Sequence, residues 1–315
     1  MPDIPLGVLD LVPISSGSTA ADALRNSIDL ARRAEQLGYA RYWFAEHHLN
    51  PGVAGTSPAV VLALTAAATS TIRLGSGAVQ LGHRTALNTV EEFGLIDALH
   101  PGRLDLGLGR SGGRPPGQPA AEPPPPGHAP NGLVIPPRFS FERLLGSPRI
   151  ALQRKLLLLP GAESQEYAEQ IDDLLALLAG TYRTDDGVEA HVVPGEGADV
   201  VVAEDDATAR ELATGYGPWV RSIRTAEGAI EFPTPDEARA HPWTEADQEL
   251  VQDRLDTQFV GSPATVADRL EQLQEATDAD ELLLTTITHD HADRIRSYEL
   301  LAAEWRRRGH SLQSS

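Results

Sequence analysis

Apolar and polar residues alternate with two different periods along the first hundred residues of the chain. Short apolar, β-branched runs are followed by longer segments in which apolar residues recur three and four positions apart, the pattern of strands followed by amphipathic helices. Leu24, Ile28 and Ala31 share one face of the first such helix, which Gly38 ends. The pattern predicts strands at residues 4–12, 41–45, 72–80 and 103–108, and helices at 20–37, 57–70 and 86–99.

The same alternation returns in the second half of the chain after an interruption. Prolines and glycines between residues 111 and 137 disfavour regular structure and predict an insertion at the carboxyl end of the fourth strand. In a barrel this end faces the active site, so the insertion is either a lid or a surface loop. Beyond it, the pattern predicts helices at 163–179, 207–214, 262–276 and 290–307, and strands at 200–203 and 281–287.

The order of these elements predicts one domain over residues 1–315, an α/β fold with a (β/α)8 barrel of the TIM type. An open doubly wound sheet is the alternative, but it usually carries a phosphate-binding glycine turn after its first strand. The first strand here runs into Pro13-Ile14-Ser15-Ser16-Gly17, which lacks that pattern. Only about six of the eight strands can be placed, so the sequence predicts an incomplete barrel or a missing middle segment.

Charge and cysteine content narrow the class of function. The chain has 45 acidic and 26 basic residues and a formal charge of −19, which disfavours nucleic acid and anionic membranes as partners. It has no cysteine, which excludes a disulfide framework, a thiolate zinc site and a thiol nucleophile. These features predict a cytoplasmic protein that acts on a small molecule.

Two clusters of histidine and carboxylate follow predicted strands. Glu46-His47-His48 ends the second strand, where barrel enzymes place catalytic groups. It can be a base with its orienting partner, a metal site or a polar loop; because no further ligands stand at suitable spacing, we predict no metal. In His289-Asp290-His291, Asp290 is predicted to cap the last helix, with the histidines beside it in solvent.

Two glycine-rich segments also end strands. The spacing of Gly107, Gly109 and Gly112 matches a dinucleotide fingerprint, but Pro115 and Pro116 follow where that site needs a helix, so a Rossmann site is rejected. Backbone amides and Arg110 at this rim can still meet a phosphate or an anionic flavin. The glycines of the segment Gly75-Ser76-Gly77-Ala78 fit either close approach of a flat ring or a packing bulge.

Several of these motifs, in this order and spacing, resemble the bacterial luciferase-like monooxygenase family. The resemblance rests on residues 42–48, which contain Glu46-His47-His48, on 72–79, which contain Gly77-Ala78, and on 101–110, which end in Gly109-Arg110. Residues 259–270 and 280–286 are similar to the C-terminal signature of the family. Several independent motifs in order make a chance match improbable.

The resemblance implies a reduced-flavin monooxygenase. Such enzymes take reduced FMN from a separate NAD(P)H:flavin reductase and react it with O₂ to a flavin hydroperoxide, which oxygenates a small organic metabolite, here expected to be apolar or aromatic. It further implies a homodimer whose second and third helices are buried, and the alanines of the second helix, at 59, 63 and 66–68, would permit close packing.

The resemblance also implies roles for individual residues. His47 would be the active-site histidine that transfers a proton, and Glu46 would hold its loop and tautomer. Gly77 and Ala78 would form a non-prolyl cis peptide beneath the flavin ring. Arg110 would lie near the flavin, with Gly109 and Ser111 beside it at the same rim.

One departure from the family leaves alternatives open. The chain passes from residues 195–199 directly into 200–206, which resemble a later part of the family, so several tens of residues with the flavin phosphate loop are expected to be absent. A non-catalytic flavin-binding homologue with a shortened barrel is therefore the alternative, and an oxidoreductase that uses a deazaflavin is a third possibility. The retained Glu46 and His47 favour the monooxygenase.

Overall fold

The computed structural model describes residues 4–109, 127–135, 148–158, 166–178, 181–183, 206–225 and 227–312. Five parallel strands form its main sheet, in the order β5-β3-β2-β1-β9. Their bounds, with those of the short strands β4 and β6, are β1 (Leu6–Asp10), β2 (Arg41–Phe44), β3 (Arg73–Ser76), β4 (Val79–Gln80), β5 (Leu104–Asp105), β6 (Leu108–Gly109) and β9 (Leu282–Leu284).

The position of the first strand identifies the fold. Val8 of β1 pairs with Tyr42 of β2 on one side and with Leu284 of β9 on the other. The first strand thus bonds to both the second and the last, as in a barrel; in a doubly wound sheet it lies among other early strands. The fold is of the (β/α)8 TIM-barrel type, as predicted. The strand predicted at 200–203 lies outside the described residues, together with the deletion expected around 195–203.

Helices follow the strands, and the ends predicted at Gly38 and Asp290 are present. Thr19 caps the first helix with its side chain, Pro58 opens the second after Ser57, and the Asp290 carboxylate accepts a hydrogen bond from Ala292 N at 2.8 Å at the last. The helices are α1 (Ala20–Leu37), α2 (Pro58–Ala66), α3 (Ala86–Leu99), α4 (Pro148–Leu157), α5 (Tyr167–Leu178), α6 (Asp206–Leu212), α7 (Tyr216–Arg224), α8 (Pro235–Arg239), α9 (Glu245–Thr257), α10 (Pro263–Thr277) and α11 (His291–Arg307). In the described part of the chain, none of them is long and apolar enough to cross a lipid bilayer.

A buried ion pair joins the two ends of the chain inside the core. Arg294 of α11 donates to Asp10 Oδ1 at 2.7 Å and to Thr286 O at 2.9 Å, and all three residues are buried. The Tyr42 hydroxyl donates to the other Asp10 oxygen. Because the desolvated carboxylate is fully paired, the loops after β1 and β9 are held together at the carboxyl edge of the sheet.

The third and fourth predicted strands are each divided in two. The strand predicted at 72–80 is interrupted after Ser76, and the one predicted at 103–108 is interrupted before Leu108. The Ser76 hydroxyl accepts a hydrogen bond from Gly107 N at 3.1 Å and donates to Gly107 O at 3.0 Å. This side chain takes the place of a ladder hydrogen bond, so periodicity alone could not show the break.

The structure adds elements that periodicity did not predict. Helices α4, α7, α8 and α9 are among them, and α7–α9 build a second hydrophobic cluster in which Trp219, Phe232 and Val251 pack with Val53 from the loop after β2. The predicted insertion at 111–137 contains a short antiparallel hairpin of β7 (Gly127–His128) and β8 (Val134–Ile135), contrary to the expectation of no regular structure there. The remainder of that insertion lies outside the described residues.

Candidate active site

The Glu46-His47-His48 segment lies directly after β2, at the carboxyl edge of the sheet. Ala45 N donates to Asp10 O at 3.0 Å, and His47 N donates to Gly55 O at 2.8 Å. These backbone bonds fix the segment to β1 on one side and to the following loop on the other. The position agrees with the sequence prediction, since catalytic groups of barrel enzymes lie at this edge.

Glu46 is the centre of a buried hydrogen-bond cluster. Its Oε1 lies 2.7 Å from His48 Nε2, 3.1 Å from His83 Nε2 and 3.2 Å from Arg84 Nη2. Its Oε2 accepts from Gln80 N at 2.9 Å. Burial by itself raises the pKa of Glu46, but the hydrogen bonds from His48, His83 and Gln80, with the charge of Arg84, lower it well below its ordinary value. Glu46 is therefore ionised at neutral pH.

The ligand atoms of Glu46, His48 and His83 lie within 4.8 Å of one another, a composition that can hold a metal ion. A cation bound to Glu46 Oε1 would lie beside the Arg84 guanidinium, which already bonds that oxygen, and two positive charges at this separation repel. The Gln80 amide occupies the second carboxylate oxygen. We therefore interpret these residues as an ion-pair cluster whose negative charge is balanced by Arg84.

His47 stands apart from this cluster. Its Nδ1 is buried and makes no hydrogen bond within the described part of the chain. The side-chain hydrogen bonds of Glu46 go to His48, Gln80, His83 and Arg84. Within the described residues, Glu46 therefore holds the loop of His47 and does not bond His47 Nδ1. Burial lowers the pKa of His47 below its ordinary value of 6.5, and the nearby His48 lowers it further. The charge of Glu46 raises this pKa but does not outweigh the other two effects. His47 is thus neutral at pH 7 and can accept a proton.

The glycine-rich segments meet beside Glu46. The peptide bond between Gly77 and Ala78 is cis, the geometry that the family resemblance implied. Gln80, two residues later, donates its side-chain amide to Glu46 O at 2.6 Å. A Cβ atom added at Gly109 would lie 3.2 Å from Ala78 Cβ, so Gly109 of β6 faces Ala78, which directly precedes the paired strand β4. Arg110 and Ser111, predicted to follow Gly109 toward the flavin, lie outside the described residues.

Sequence reasoning missed three members of the cluster, namely Gln80, His83 and Arg84. Gln80 ends β4 and the other two follow it, at the same edge as Glu46 but more than thirty residues away in sequence. A signal was present, since a histidine and an arginine follow the strand next to β2, and carboxyl ends of neighbouring parallel strands meet at one edge.

The second histidine pair belongs to a different place. His289 Nε2 lies 3.0 Å from Ser16 O, and His291 Nε2 lies 3.2 Å from Asp29 Oδ2. Asp290 caps α11 as predicted. These residues join the loop after β9 to the loop after β1 and to α1, and none of them contacts Glu46 or His47 in the described structure.

Known proteins resemble the chain over nearly its whole length. Residues 4–125 match the family model described as luciferase-like monooxygenase. A luciferase-like monooxygenase of Escherichia coli strain K12 is 33% identical over an alignment of 324 positions, gaps included. The alignment covers 94% of this chain and 96% of the relative. Because that alignment is longer than the 315 residues of this chain, the relative carries residues that have no counterpart here.

Solved structures are also similar to the chain over nearly its whole length. Apo-MsnO8 is similar with a TM-score of 0.62 and 28% identity, covering 96% of this chain and 98% of the other. The oxygenating constituent of 3,6-diketocamphane monooxygenase from Pseudomonas putida, a type II Baeyer-Villiger monooxygenase in complex with FMN, has the same fold, with a TM-score of 0.59, 15% identity and coverage of 96% and 98%. Together with the edge formed by Glu46, Gly77-Ala78 and Gly109, these matches show that the chain belongs to the luciferase-like monooxygenase family.

Proposed function

We propose that this protein is a monooxygenase that uses reduced FMN and O₂ to oxygenate a small apolar or aromatic metabolite. The observation that carries the proposal lies at the carboxyl edge of the sheet, where Gln80 bonds Glu46, the residue before the partly buried His47, and follows the Gly77-Ala78 peptide that Gly109 faces. The family relationship and the FMN complex of a protein with the same fold support the choice of cofactor. Reduced FMN, when bound, would supply the electrons that activate O₂.

The described residues fit a flat ring at this place. Gly77 and Gly109 carry no side chain, and Ala78 carries only a methyl group, so a planar ligand can approach the backbone closely. A Cβ atom built at Gly109 would lie 3.2 Å from Ala78 Cβ, so a larger residue at position 109 would have little room. Arg110 and Ser111 follow Gly109 in sequence, and we assign them to the anionic parts of FMN on that ground alone.

His47 is the proposed proton-transfer group. Its Nδ1 is buried without a partner among the described residues, and its pKa is lowered, so the ring is an available base at neutral pH. Glu46 would act as a positioning residue, because it joins the His47 loop to Gln80 and so to the Gly77-Ala78 peptide. A movement of either strand end would separate the base from the ring.

Two partners complete the proposal. A separate NAD(P)H:flavin reductase in the cytoplasm would supply the reduced FMN. A second copy of the chain would cover the outer face of α2 and α3, where Val60, Leu64, Leu95 and Leu99 are 59%, 52%, 73% and 79% exposed. Apolar side chains grouped on one face in this way mark an association surface.

Anaerobic titration with reduced FMN, followed by mixing with O₂, tests the function. We expect saturable binding of reduced FMN, reoxidation kinetics that differ from those of free flavin, and an oxygenated product from at least one member of an apolar and aromatic panel. Binding with reoxidation identical to that of free flavin, and without product, would instead support the non-catalytic flavin-binding alternative. A parallel titration with a reduced deazaflavin tests the choice of cofactor.

A further inference from the structure

A cavity of about 670 Å³ lies among the helices that follow the insertion. Residues of α6, α7, α8, α9 and α10 line it. Its volume is that of a small-molecule site. Among the described residues, none of His47, Gly77, Ala78 and Gly109 lines it, so it is distinct from the part of the active site that the structure describes.

The apolar part of the wall comes from α9 and from one indole. Val251 and Leu255 lie one turn apart on α9, and the side chain of Trp243 lies beside them. Gly217 of α7 makes room for this indole, because a Cβ atom added there would lie 3.2 Å from Trp243 Cζ2. The indole is partly buried and Leu255 is 37% exposed, so both present apolar surface to the cavity.

Three arginines, Arg210, Arg239 and Arg269, line the same cavity in a chain of net charge −19. Arg239 is paired with Glu211 and Asp236. Neither Arg210 nor Arg269 has a carboxylate partner within the ranges that the structure describes.

Arg269 is more buried than Arg210. It is partly buried, its guanidinium lies 4.6 Å from the centroid of the Phe259 ring, and it donates to Gln258 O. Burial lowers the pKa of Arg269, and no carboxylate of the described residues compensates for it. A partly desolvated cation of this kind favours an anionic ligand.

We propose that this cavity binds an amphipathic organic anion, with an aromatic or apolar body against Trp243 and Leu255 and a carboxylate held by Arg210 and Arg269. A guanidinium binds a planar carboxylate through two parallel hydrogen bonds, and the indole and the Leu255 side chain bury the ring. The site does not depend on the proposed monooxygenase function.

Calorimetric titration of the flavin-free protein with 2-naphthoate tests the proposal. We expect one saturable site per chain, at least about 10-fold weaker affinity for the uncharged 2-naphthamide, and a similar loss in the Arg210→Gln, Arg269→Gln double variant, since a hydrogen bond to a charged group contributes this much. Arg25→Gln is the matched control, because Arg25 is an exposed arginine paired with Asp22 away from the cavity. Its affinity should equal that of the parent.

Further arms separate the possible outcomes. His47→Ala and saturating reduced FMN should leave naphthoate binding unchanged; a large change in either would place the ligand in the active site and overturn the proposal. The proposal would also be overturned if the amide bound as tightly as naphthoate, or if the double variant kept the affinity of the parent. Displacement of naphthoate by inorganic phosphate at equal concentration would overturn it too. If the Arg269 substitution prevents folding, Arg210→Gln alone decides, since that side chain is exposed.

Discussion

At the scale of single residues, the proposed chemistry depends on the ring of His47. Replacing His47 by Ala should lower the rate of oxygenation by about 10²- to 10⁴-fold, the usual contribution of a proton-transfer group, while the affinity for reduced FMN changes little. Product formation and flavin titration measure the two effects separately. His128→Ala is the control, because His128 is exposed on the β7–β8 hairpin. Full turnover by His47→Ala would remove the catalytic assignment.

The lowered pKa of His47 also predicts how stability depends on pH. The folded ring holds its proton more weakly than the unfolded one, whose pKa is near 6.5, so the unfolded chain binds more protons and is favoured as the pH falls below 6.5. The contribution of the neutral His47 ring to the free energy of unfolding is fully present above pH 6.5 and is lost as the pH falls below it. Denaturant unfolding at pH 7.5 and 5.5 should show a smaller loss in His47→Ala than in the parent. Equal losses would show that His47 is not buried in this way.

Glu46 should be more important for stability than its exposed neighbour. Glu46→Gln removes the buried carboxylate that Arg84, His48 and His83 contact, and breaking a buried pair costs about 3–5 kcal/mol. Glu92 bonds the Arg84 guanidinium at 3.1 Å but is 39% exposed, so Glu92→Gln should cost less than about 1 kcal/mol. Denaturant unfolding of both variants measures the difference. Similar costs would mean that the Glu46 cluster is not the buried pair described here.

At the scale of elements, the divided strands give a matched pair of substitutions. A Cβ atom added at Gly107 would lie 2.0 Å from Ser76 O, whereas one added at Gly109 would lie 3.2 Å from Ala78 Cβ. Gly107→Ala must therefore shift backbone, which we expect to destabilise the protein by about 1–3 kcal/mol. Gly109→Ala should keep the fold and weaken the binding of reduced FMN.

Thermal unfolding and flavin titration distinguish these two effects. Unchanged flavin affinity in a folded Gly109→Ala variant would contradict the placement of the ring beside Gly109. A Gly107→Ala variant as stable as the parent would contradict the close contact between β3 and the segment before β6.

At the scale of the whole molecule, the exposed faces of α2 and α3 predict a homodimer. Light scattering at micromolar concentration should give twice the mass of the 33.7 kDa chain. Leu95→Glu should shift the mass toward a monomer, because a charge would have to be buried in the interface. Leu152→Glu on α4, where Leu152 is 49% exposed, should leave the dimer intact. A monomeric parent protein would remove the prediction.

Local sequence patterns predicted the parts of this molecule that depend on neighbours in sequence. The bounds of α1, α3 and α11 agree with the prediction to within one residue, because apolar spacing and capping residues act within a few turns. The Asp290 cap and the position of Glu46-His47-His48 after β2 follow from the same local signals. The motif order also indicated the family.

Tertiary structure decided what depends on strands and helices distant in sequence. Gln80, His83 and Arg84 reach Glu46 only because β2 and β3 are neighbours in the sheet, and Asp10 meets Arg294 only because β1 pairs with β9. The cavity of Arg210, Arg269 and Trp243 likewise exists only where α6–α10 converge. Periodicity determines which face of an element is buried, but not which distant side chain meets a polar group there, because that depends on the closure of the barrel.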